Sequence, residues 1–276
     1  MSEQYLGRSG CLLKITQDLK IRKFSGNANY NQRLRAQASK QSSFLSNKYQ
    51  SLHAPEVFNL YEGDIFSFDM QYIPGSTFVD FFSTSSVDSL INTSDILINF
   101  IKTNLKESKI IKINEQVIEK IRSLSEQSKY SDICTSLVKY IETIDLQVPV
   151  SYCHGDLTLN NMLFVDSEIY LIDFLDSFID SPIIDLVKLK QDLVYSWSQE
   201  LQKIRKTRMI TAFKFLWCII EDSFKDLTCS KTFKVMEVVN FLRIEPYVTS
   251  QAESKLLDKI IKGLAIHEEL DIANGG

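Results

Sequence analysis

A short stretch in the middle of the chain carries the side chains best suited to chemistry. His154, Gly155 and Asp156 are followed by Asn161, and Asp173 comes soon after. Transfer of a phosphoryl group to a hydroxyl needs a carboxylate within hydrogen-bond reach of that hydroxyl. It also needs magnesium, a hard cation that prefers carboxylate and amide oxygens as ligands. These residues supply both kinds of group.

The residues between Asn161 and Asp173 indicate how those side chains meet. Residues 162–165 and 169–172 are apolar segments typical of strands, and a polar turn separates them. A hairpin over these residues would fold the chain back on itself and bring Asn161 close to Asp173. The oxygen-bearing side chains are therefore expected to converge.

The pattern His-Gly-Asp-x-x-x-x-Asn, followed by Ile-Asp-Phe, resembles the aminoglycoside phosphotransferase and choline kinase-like family, relatives of the protein kinases. The resemblance implies that Asp156 is the catalytic base and that Asn161 and Asp173 bind magnesium. It implies a mainly structural role for His154, which would hold the loop by hydrogen bonds. Asp185 resembles the family's structural aspartate, which ties the same loop.

The same resemblance assigns nucleotide-binding roles nearer the N-terminus. Gly7, Ser9 and Gly10 lie between two predicted strands and resemble the family's phosphate-covering loop, in which backbone N–H groups meet phosphate oxygens. The segment that contains Gln71 and Ile73 resembles the hinge whose backbone pairs with the adenine edge. As an isolated feature, a pair of glycines in a hairpin is more often just a turn. An ordinary strand that ends in a Pro-Gly turn would have the same sequence as the predicted hinge.

The phosphate-binding lysine of the family lies at the end of the predicted strand 19–24. Lys23 follows Leu19 and Ile21 on the alternating face of that strand, so it is favoured over Lys20 and Lys14. The alternative is that Lys23 is an ordinary solvated lysine.

The sequence departs from the family pattern in the first helix. The family pairs its lysine with a glutamate there, but residues 31–47 contain no Asp or Glu. Gln32, Gln37 and Gln41 are the nearest substitutes, and Gln37 is the predicted partner of Lys23. A glutamine oxygen would accept a hydrogen bond from the ammonium group without neutralising its charge.

The hydrophobic periodicity predicts the elements that position these residues. Strands are predicted over 11–15, 19–24, 56–61 and 65–72, and helices over 31–47, within 86–144, and over 184–197, 198–225, 231–241 and 250–270. A Pro-Gly turn at 73–76 is the predicted lobe boundary. We therefore expect an α+β, bilobal protein-kinase-like fold. A small strand-rich N-lobe would span residues 1–74, and a larger, mostly helical C-lobe over 75–276 would carry the catalytic loop and the substrate site.

Composition narrows the class of protein. The 276 residues are 44% hydrophobic and 24% charged, which is typical of a globular chain. The net charge of −4 disfavours a general nucleic-acid binder. Five scattered cysteines without a C-x-x-C pair disfavour a disulfide framework or a zinc site. The apolar run 215–220 is too short to span a membrane, and the N-terminus lacks a signal-peptide pattern, so a cytoplasmic location is predicted.

The resemblance implies transfer of the γ-phosphoryl group of ATP, with Mg²⁺, to a hydroxyl of a sugar, an amino sugar or an amino alcohol. A precursor of a bacterial surface glycan is the favoured acceptor. A pseudokinase that binds nucleotide without turnover is the alternative, because the helix glutamate is missing. A Ser/Thr protein kinase ranks third, because His-Gly-Asp replaces His-Arg-Asp and no activation segment is evident between Phe174 and Asp185.

Overall fold

The computed structural model describes residues 4–6, 11–203 and 207–267. By packing, the chain divides into two compact units. The first combines Met1–Phe100 with His154–Ser177, and the second combines Ile101–Cys153 with Phe178–Gly276. The lobe boundary after residue 74 stays a prediction, because the two units are groupings by packing and each contains two separate stretches of chain.

The elements follow one another as a strand-rich part and then a helix-rich part. The strands are β1 (Gln4–Leu6), β2 (Leu12–Ile15), β3 (Lys20–Phe24), β4 (Leu52–His53), β5 (Val57–Tyr61), β6 (Ser67–Gln71), β7 (Lys109–Lys112), β8 (Gln147–Val150), β9 (Met162–Val165) and β10 (Glu168–Leu171). The helices are α1 (Asn31–Ser42), α2 (Phe78–Thr84), α3 (Val87–Lys106), α4 (Asn114–Ser125), α5 (Ser131–Glu142), α6 (Pro182–Leu193), α7 (Trp197–Leu201), α8 (Thr207–Ser223), α9 (Lys225–Thr228), α10 (Lys231–Ile244) and α11 (Gln251–His267).

The first unit is built on an antiparallel sheet with strand order β1-β2-β3-β6-β5. Helix α1 shares a hydrophobic core with this sheet. In this core, Leu34 and Ala38 of the helix cluster with Phe68 of β6 and with Phe66, the residue just before that strand. Lys23 of β3 lies opposite Phe68 in the register, so the sheet holds the lysine next to this core.

Helix α1 ends earlier than the predicted 31–47. The hydroxyl of Ser42 donates to the carbonyl of Ala38 at 2.8 Å, and that of Ser43 donates to the carbonyl of Lys40 at 2.7 Å. Serine hydroxyls that bind helix carbonyls compete with continuation of the helix. Leu45, which falls within the predicted helix 31–47, therefore lies beyond the observed helix with 60% of its surface exposed.

The predicted hairpin after Asn161 is confirmed as β9 and β10, which pair antiparallel with Leu171 opposite Met162. The turn passes through Asp166 in the left-handed region, at φ 50°, which aspartate tolerates better than most residues. Strand β4 adds to the other edge of β10 in parallel, and forms a three-stranded sheet.

The second unit is mostly helical, but the helical prediction over 86–144 misses strand β7. This strand pairs antiparallel with β8. Pro149 is tolerated in β8 because the sheet has only two strands, so one edge of each needs no partner.

The helices after Pro182 follow the prediction closely. The Ser181 side chain accepts from the backbone N–H of Ile183, and Pro182 occupies the first turn of α6, a favoured position for proline. The predicted helix 198–225 is instead α7 and α8, and residues 204–206 between them lie outside the described residues. In the part of the chain that the structure describes, no helix combines the length and the apolar character needed to cross a membrane.

Candidate active site

The loop that carries Asp156 is closed by hydrogen bonds to Asn161. The Asn161 amide nitrogen Nδ2 donates to the Asp156 carbonyl oxygen at 2.8 Å and to the Asp156 carboxylate Oδ2 at 2.9 Å. Leu157 and Leu159 of the same loop are fully buried and anchor it in the hydrophobic core. The Asp156 carboxylate is therefore oriented by its neighbour, and the amide oxygen of Asn161 is directed elsewhere.

His154 holds the base of this loop, as its expected structural role requires. Its Nε2 lies 2.9 Å from the carbonyl oxygen of Ile172, and its Nδ1 accepts from the backbone N–H of Asp156 at 3.2 Å. An imidazole that accepts at Nδ1 and faces a carbonyl at Nε2 is neutral, with its proton on Nε2. Complete burial lowers the pKa of His154 to about 4. Near neutral pH His154 is therefore an uncharged brace between the loop and the end of the hairpin.

Gly155 is required by a close approach of backbone. Its φ is +85°, and a Cβ at this position would lie 1.9 Å from the carbonyl oxygen of Leu175. The backbone N–H of Leu175 in turn donates to the carbonyl oxygen of His154 at 3.0 Å. The segment after Asp173 therefore packs directly on the segment before Asp156.

Asp173 lies between two anchored residues and has a left-handed backbone, with φ 60°. On one side, the N–H of Ile172 donates to the carbonyl oxygen of Asn161 at 3.0 Å. On the other, the Phe174 ring is fully buried, with its centroid 4.4 Å from that of His154 and 5.6 Å from that of Phe44. The Asp173 side chain itself remains 41% exposed. The backbone of Asp173 is therefore fixed by its neighbours, whereas its carboxylate remains accessible to solvent.

Lys23 bonds to this carboxylate. Its Nζ lies 2.7 Å from Oδ1 of Asp173 and 3.0 Å from Oε1 of Gln37, and the residue is only 3% exposed. The predicted contact between Lys23 and Gln37 is therefore confirmed. Burial by itself would lower the pKa of Lys23, but the charge and hydrogen bond of Asp173 outweigh burial and raise it. Lys23 is therefore a buried, permanently charged ammonium group.

Lys40 is a residue of this region that the sequence analysis did not select. It lies on α1 with 9% of its surface exposed, and its Nζ donates to the carbonyl oxygen of Leu175 at 2.9 Å. Its position one turn after Gln37 was the available signal, because residues three apart share a helix face.

Comparison with known proteins bears on this geometry. Residues 111–213 match the model of the phosphotransferase enzyme family, and this segment contains Asp156, Asn161 and Asp173. A comparison with curated protein sequences gave no significant match.

Solved structures extend the similarity to nearly the whole chain. A choline/ethanolamine kinase family protein from Mesorhizobium loti superposes with a TM-score of 0.55 at 14% identity, over 99% of this chain and 90% of that one. Aminoglycoside 2'-phosphotransferase-IIIa in its GDP complex gives a TM-score of 0.63 at 11% identity, over 96% and 92%. The ternary complex of APH(2″)-IIa with streptomycin and ATP gives 0.56 at 13% identity, over 99% and 93%.

The resemblance to the aminoglycoside phosphotransferase and choline kinase-like proteins is confirmed. The fold is α+β and protein-kinase-like, as predicted. Helix α1 also departs from the family pattern in the structure, because Gln37 occupies the position that contacts Lys23 and the helix contains no acidic residue.

The predicted nucleotide-binding segments differ in how much the structure shows of them. Gly7, Ser9 and Gly10 lie outside the described residues. Gln71 ends β6 at an exposed position, and its backbone N–H donates to the carbonyl oxygen of Glu56 at 2.8 Å. Ile73 is buried, with 8% of its surface exposed. The adenine contacts of Gln71 and Ile73 stay predictions.

The donor set fits magnesium. Among the described residues, no group of three or more His, Cys, Asp or Glu side chains could hold a metal ion without other ligands. Asp173 and Asn161 offer one carboxylate and one amide oxygen, and magnesium in nucleotide sites is commonly held by one or two protein oxygens, with phosphates and water as the other ligands. A softer metal would need sulfur or imidazole ligands.

Several aromatic side chains of the second unit belong to its packed interior. Trp197 and Trp217 are 4% and 5% exposed. The hydroxyl of Tyr195 donates to Oε1 of Glu237 at 3.0 Å. These contacts indicate that the three aromatic residues stabilise the core of this unit.

Proposed function

We propose that this protein is an ATP- and magnesium-dependent kinase that phosphorylates a hydroxyl of a small molecule. The observation that carries the proposal is one hydrogen-bonded assembly in the first unit. Asn161 binds Asp156, Lys23 binds Asp173, and the backbone joins the two pairs where Ile172 bonds to Asn161. A base, an amide oxygen, a second carboxylate and a buried cation are the groups that phosphoryl transfer from a nucleotide requires.

In this proposal Asp156 accepts a hydrogen bond from the acceptor hydroxyl and takes its proton as the new bond to phosphorus forms. Asn161 keeps the Asp156 carboxylate oriented through its amide nitrogen. Lys23 neutralises charge on the nucleotide phosphates from its buried position. Asp173 and Asn161 would hold Mg²⁺, which neutralises the charge that develops on the phosphoryl oxygens.

The acceptor class follows from the proteins that share the fold. One similar structure binds streptomycin and ATP, and another belongs to the choline/ethanolamine kinase family. A sugar, an amino sugar or an amino alcohol is therefore the proposed acceptor. A precursor of a bacterial surface glycan is the narrower proposal within that class, and a cytoplasmic location is proposed with it.

The test is an acceptor screen with the full chain. The protein is incubated with Mg-ATP and a panel of sugars, amino sugars, amino alcohols and glycan precursors, and ADP release is followed for each. Mass spectrometry then identifies any acceptor that has gained one phosphoryl group. Acceptor-dependent ADP release that Asp156→Asn abolishes is the expected result, and the failure of the chain to bind Mg-nucleotide would contradict the proposal.

A second function, nucleotide binding without turnover, is favoured by one specific observation. The buried Lys23 has the neutral Gln37 where the family has a glutamate, so Asp173 is the carboxylate at 2.7 Å from its ammonium group. Tight binding of Mg-nucleotide combined with no ADP release across the acceptor panel would support this alternative.

A further inference from the structure

Three contacts hold the backbone of Leu175. Gly155 leaves the space into which the carbonyl oxygen fits, since a Cβ there would lie 1.9 Å away. The N–H of Leu175 donates to the carbonyl oxygen of His154, which fixes the preceding peptide unit, between Phe174 and Leu175. Lys40 donates to the carbonyl oxygen from α1 at 2.9 Å.

A buried lysine is an uncommon hydrogen-bond donor to a backbone carbonyl. Lys40 is 9% exposed, and a buried ammonium group is costly unless hydrogen bonds compensate for its lost hydration. The charge of Lys40 also reaches the loop, because it helps to lower the pKa of His154, after the larger effect of burial.

What Lys40 holds is the backbone beside Asp173. The carbonyl of Leu175 is two residues beyond this aspartate, whose backbone at φ 60° belongs to a region that non-glycine residues seldom occupy. Such a conformation persists where the surrounding contacts impose it. Ile172 is held on one side by Asn161 and His154, and Leu175 is held on the other side by His154 and Lys40.

Helix α1 therefore reaches the proposed metal site through two side chains. Gln37 bonds to Lys23, which pairs with the Asp173 carboxylate, and Lys40 bonds to the backbone that carries that carboxylate. We propose that Lys40 is a positioning residue that holds the Leu175 carbonyl, and through it Asp173, in the orientation that binding of Mg-nucleotide requires. This inference rests on the proposed function, because it concerns the same site.

The test compares binding of a non-hydrolysable ATP analogue with and without Mg²⁺, measured by calorimetry on the full chain. In Lys40→Met, the affinity for the magnesium complex should fall about tenfold, the change expected for loss of one charge-assisted hydrogen bond. Affinity for the metal-free analogue in EDTA should stay within about twofold, since Asp173 acts through the metal. Lys40→Arg keeps the charge and the donors and should recover most of the loss.

Arg33→Met is the matched control, because Arg33 is an exposed cation on the same helix, and its ratio of the two affinities should equal that of the wild type. A purely structural role for Lys40 would lower the melting temperature of Lys40→Met and leave that ratio unchanged, which would overturn the inference. If Lys40→Met does not fold, Lys40→Ala, which also lacks a hydrogen-bond donor, carries the same measurement, and an unchanged ratio again overturns the inference. A wild-type chain with no magnesium effect would show that the proposed function itself fails.

Discussion

Asp156 and Asn161 form a pair in which one side chain sets the orientation of the other. The Asn161 amide nitrogen lies 2.9 Å from the Asp156 carboxylate, so the position of the proposed base depends on a neighbour five residues away in the same loop. This local arrangement makes the proposed chemistry testable with conservative substitutions.

Asp156→Asn keeps an oxygen for Asn161 but removes the proton acceptor. We expect kcat to fall by about 10² to 10⁴, the usual contribution of a general base, with the KM for ATP nearly unchanged. Steady-state ADP release measures both constants. Asp166→Asn, at the exposed turn of the hairpin β9–β10, is the matched control and should behave as the wild type. Full activity in Asp156→Asn would remove Asp156 from its proposed role.

His154 predicts a pH dependence of stability rather than of catalysis. Its pKa is about 4 in the folded chain and 6.5 as the reference value, so the unfolded chain binds the proton first as the pH falls. The contribution of His154 to stability is therefore fully present above about pH 7 and is lost progressively between pH 7 and pH 4, by about 3 kcal/mol in total.

Denaturant unfolding at several pH values measures this effect. His154→Gln should be less stable than the wild type at pH 7.5 and should lose less stability than the wild type between pH 7 and pH 5. Parallel pH profiles for the two proteins would mean that the pKa of His154 is the same in the folded and the unfolded chain.

At the scale of the element, the loop before Asp156 and the segment after Asp173 form one backbone crossing, in which Leu175 packs on Gly155. The crossing needs a residue without a Cβ, and the hairpin β9–β10 supplies the return of the chain that creates it. The hairpin was predictable because its signal is local: two apolar segments of strand length flank a polar turn.

Gly155→Ala tests the crossing against an unrelated glycine. The alanine would be strained at φ +85° and would collide with the carbonyl oxygen of Leu175, so we expect a loss of at least about 2 kcal/mol in the free energy of unfolding. Gly263→Ala in α11 meets no atom within 4 Å and should stabilise by about 0.5–1 kcal/mol. Thermal and denaturant unfolding compare the two, and equal effects would contradict the crossing.

Strands β7 and β8 show where local patterns were insufficient. Ile110 and Ile111 are exposed, at 63% and 39%, so this strand lacks the alternation of buried and exposed residues by which strands are recognised. Its pairing with β8 joins residues about forty positions apart, such as Ile110 with Pro149. The helical prediction for this region was wrong because that pairing is non-local.

At the scale of the whole molecule, the proposed ligand should stabilise the chain by mass action. Every described residue of the proposed site belongs to the first unit, which combines Met1–Phe100 with His154–Ser177. A ligand that binds only the folded state adds about 2.7 kcal/mol when present at 100 times its dissociation constant.

Asp173→Ala should abolish the magnesium-dependent part of this stabilisation. Melting curves of the wild type and the variant are recorded with ATP analogue alone and with analogue plus Mg²⁺. The wild type should melt higher in the presence of the metal, whereas the variant should give the same curve in both conditions. A variant that responds to magnesium as the wild type does would place the metal site elsewhere.

The sequence by itself determined the parts of this protein that depend on neighbours along the chain. The spacing of Asp156, Asn161 and Asp173 around a hairpin, and the segment of α1 without acids, are local patterns and needed no coordinates. Only the tertiary structure decided which lysine is buried, because Lys23 meets a carboxylate 150 residues away. It likewise decided that Lys40 reaches Leu175, since burial and long-range hydrogen bonds are set by packing that no local window of sequence contains.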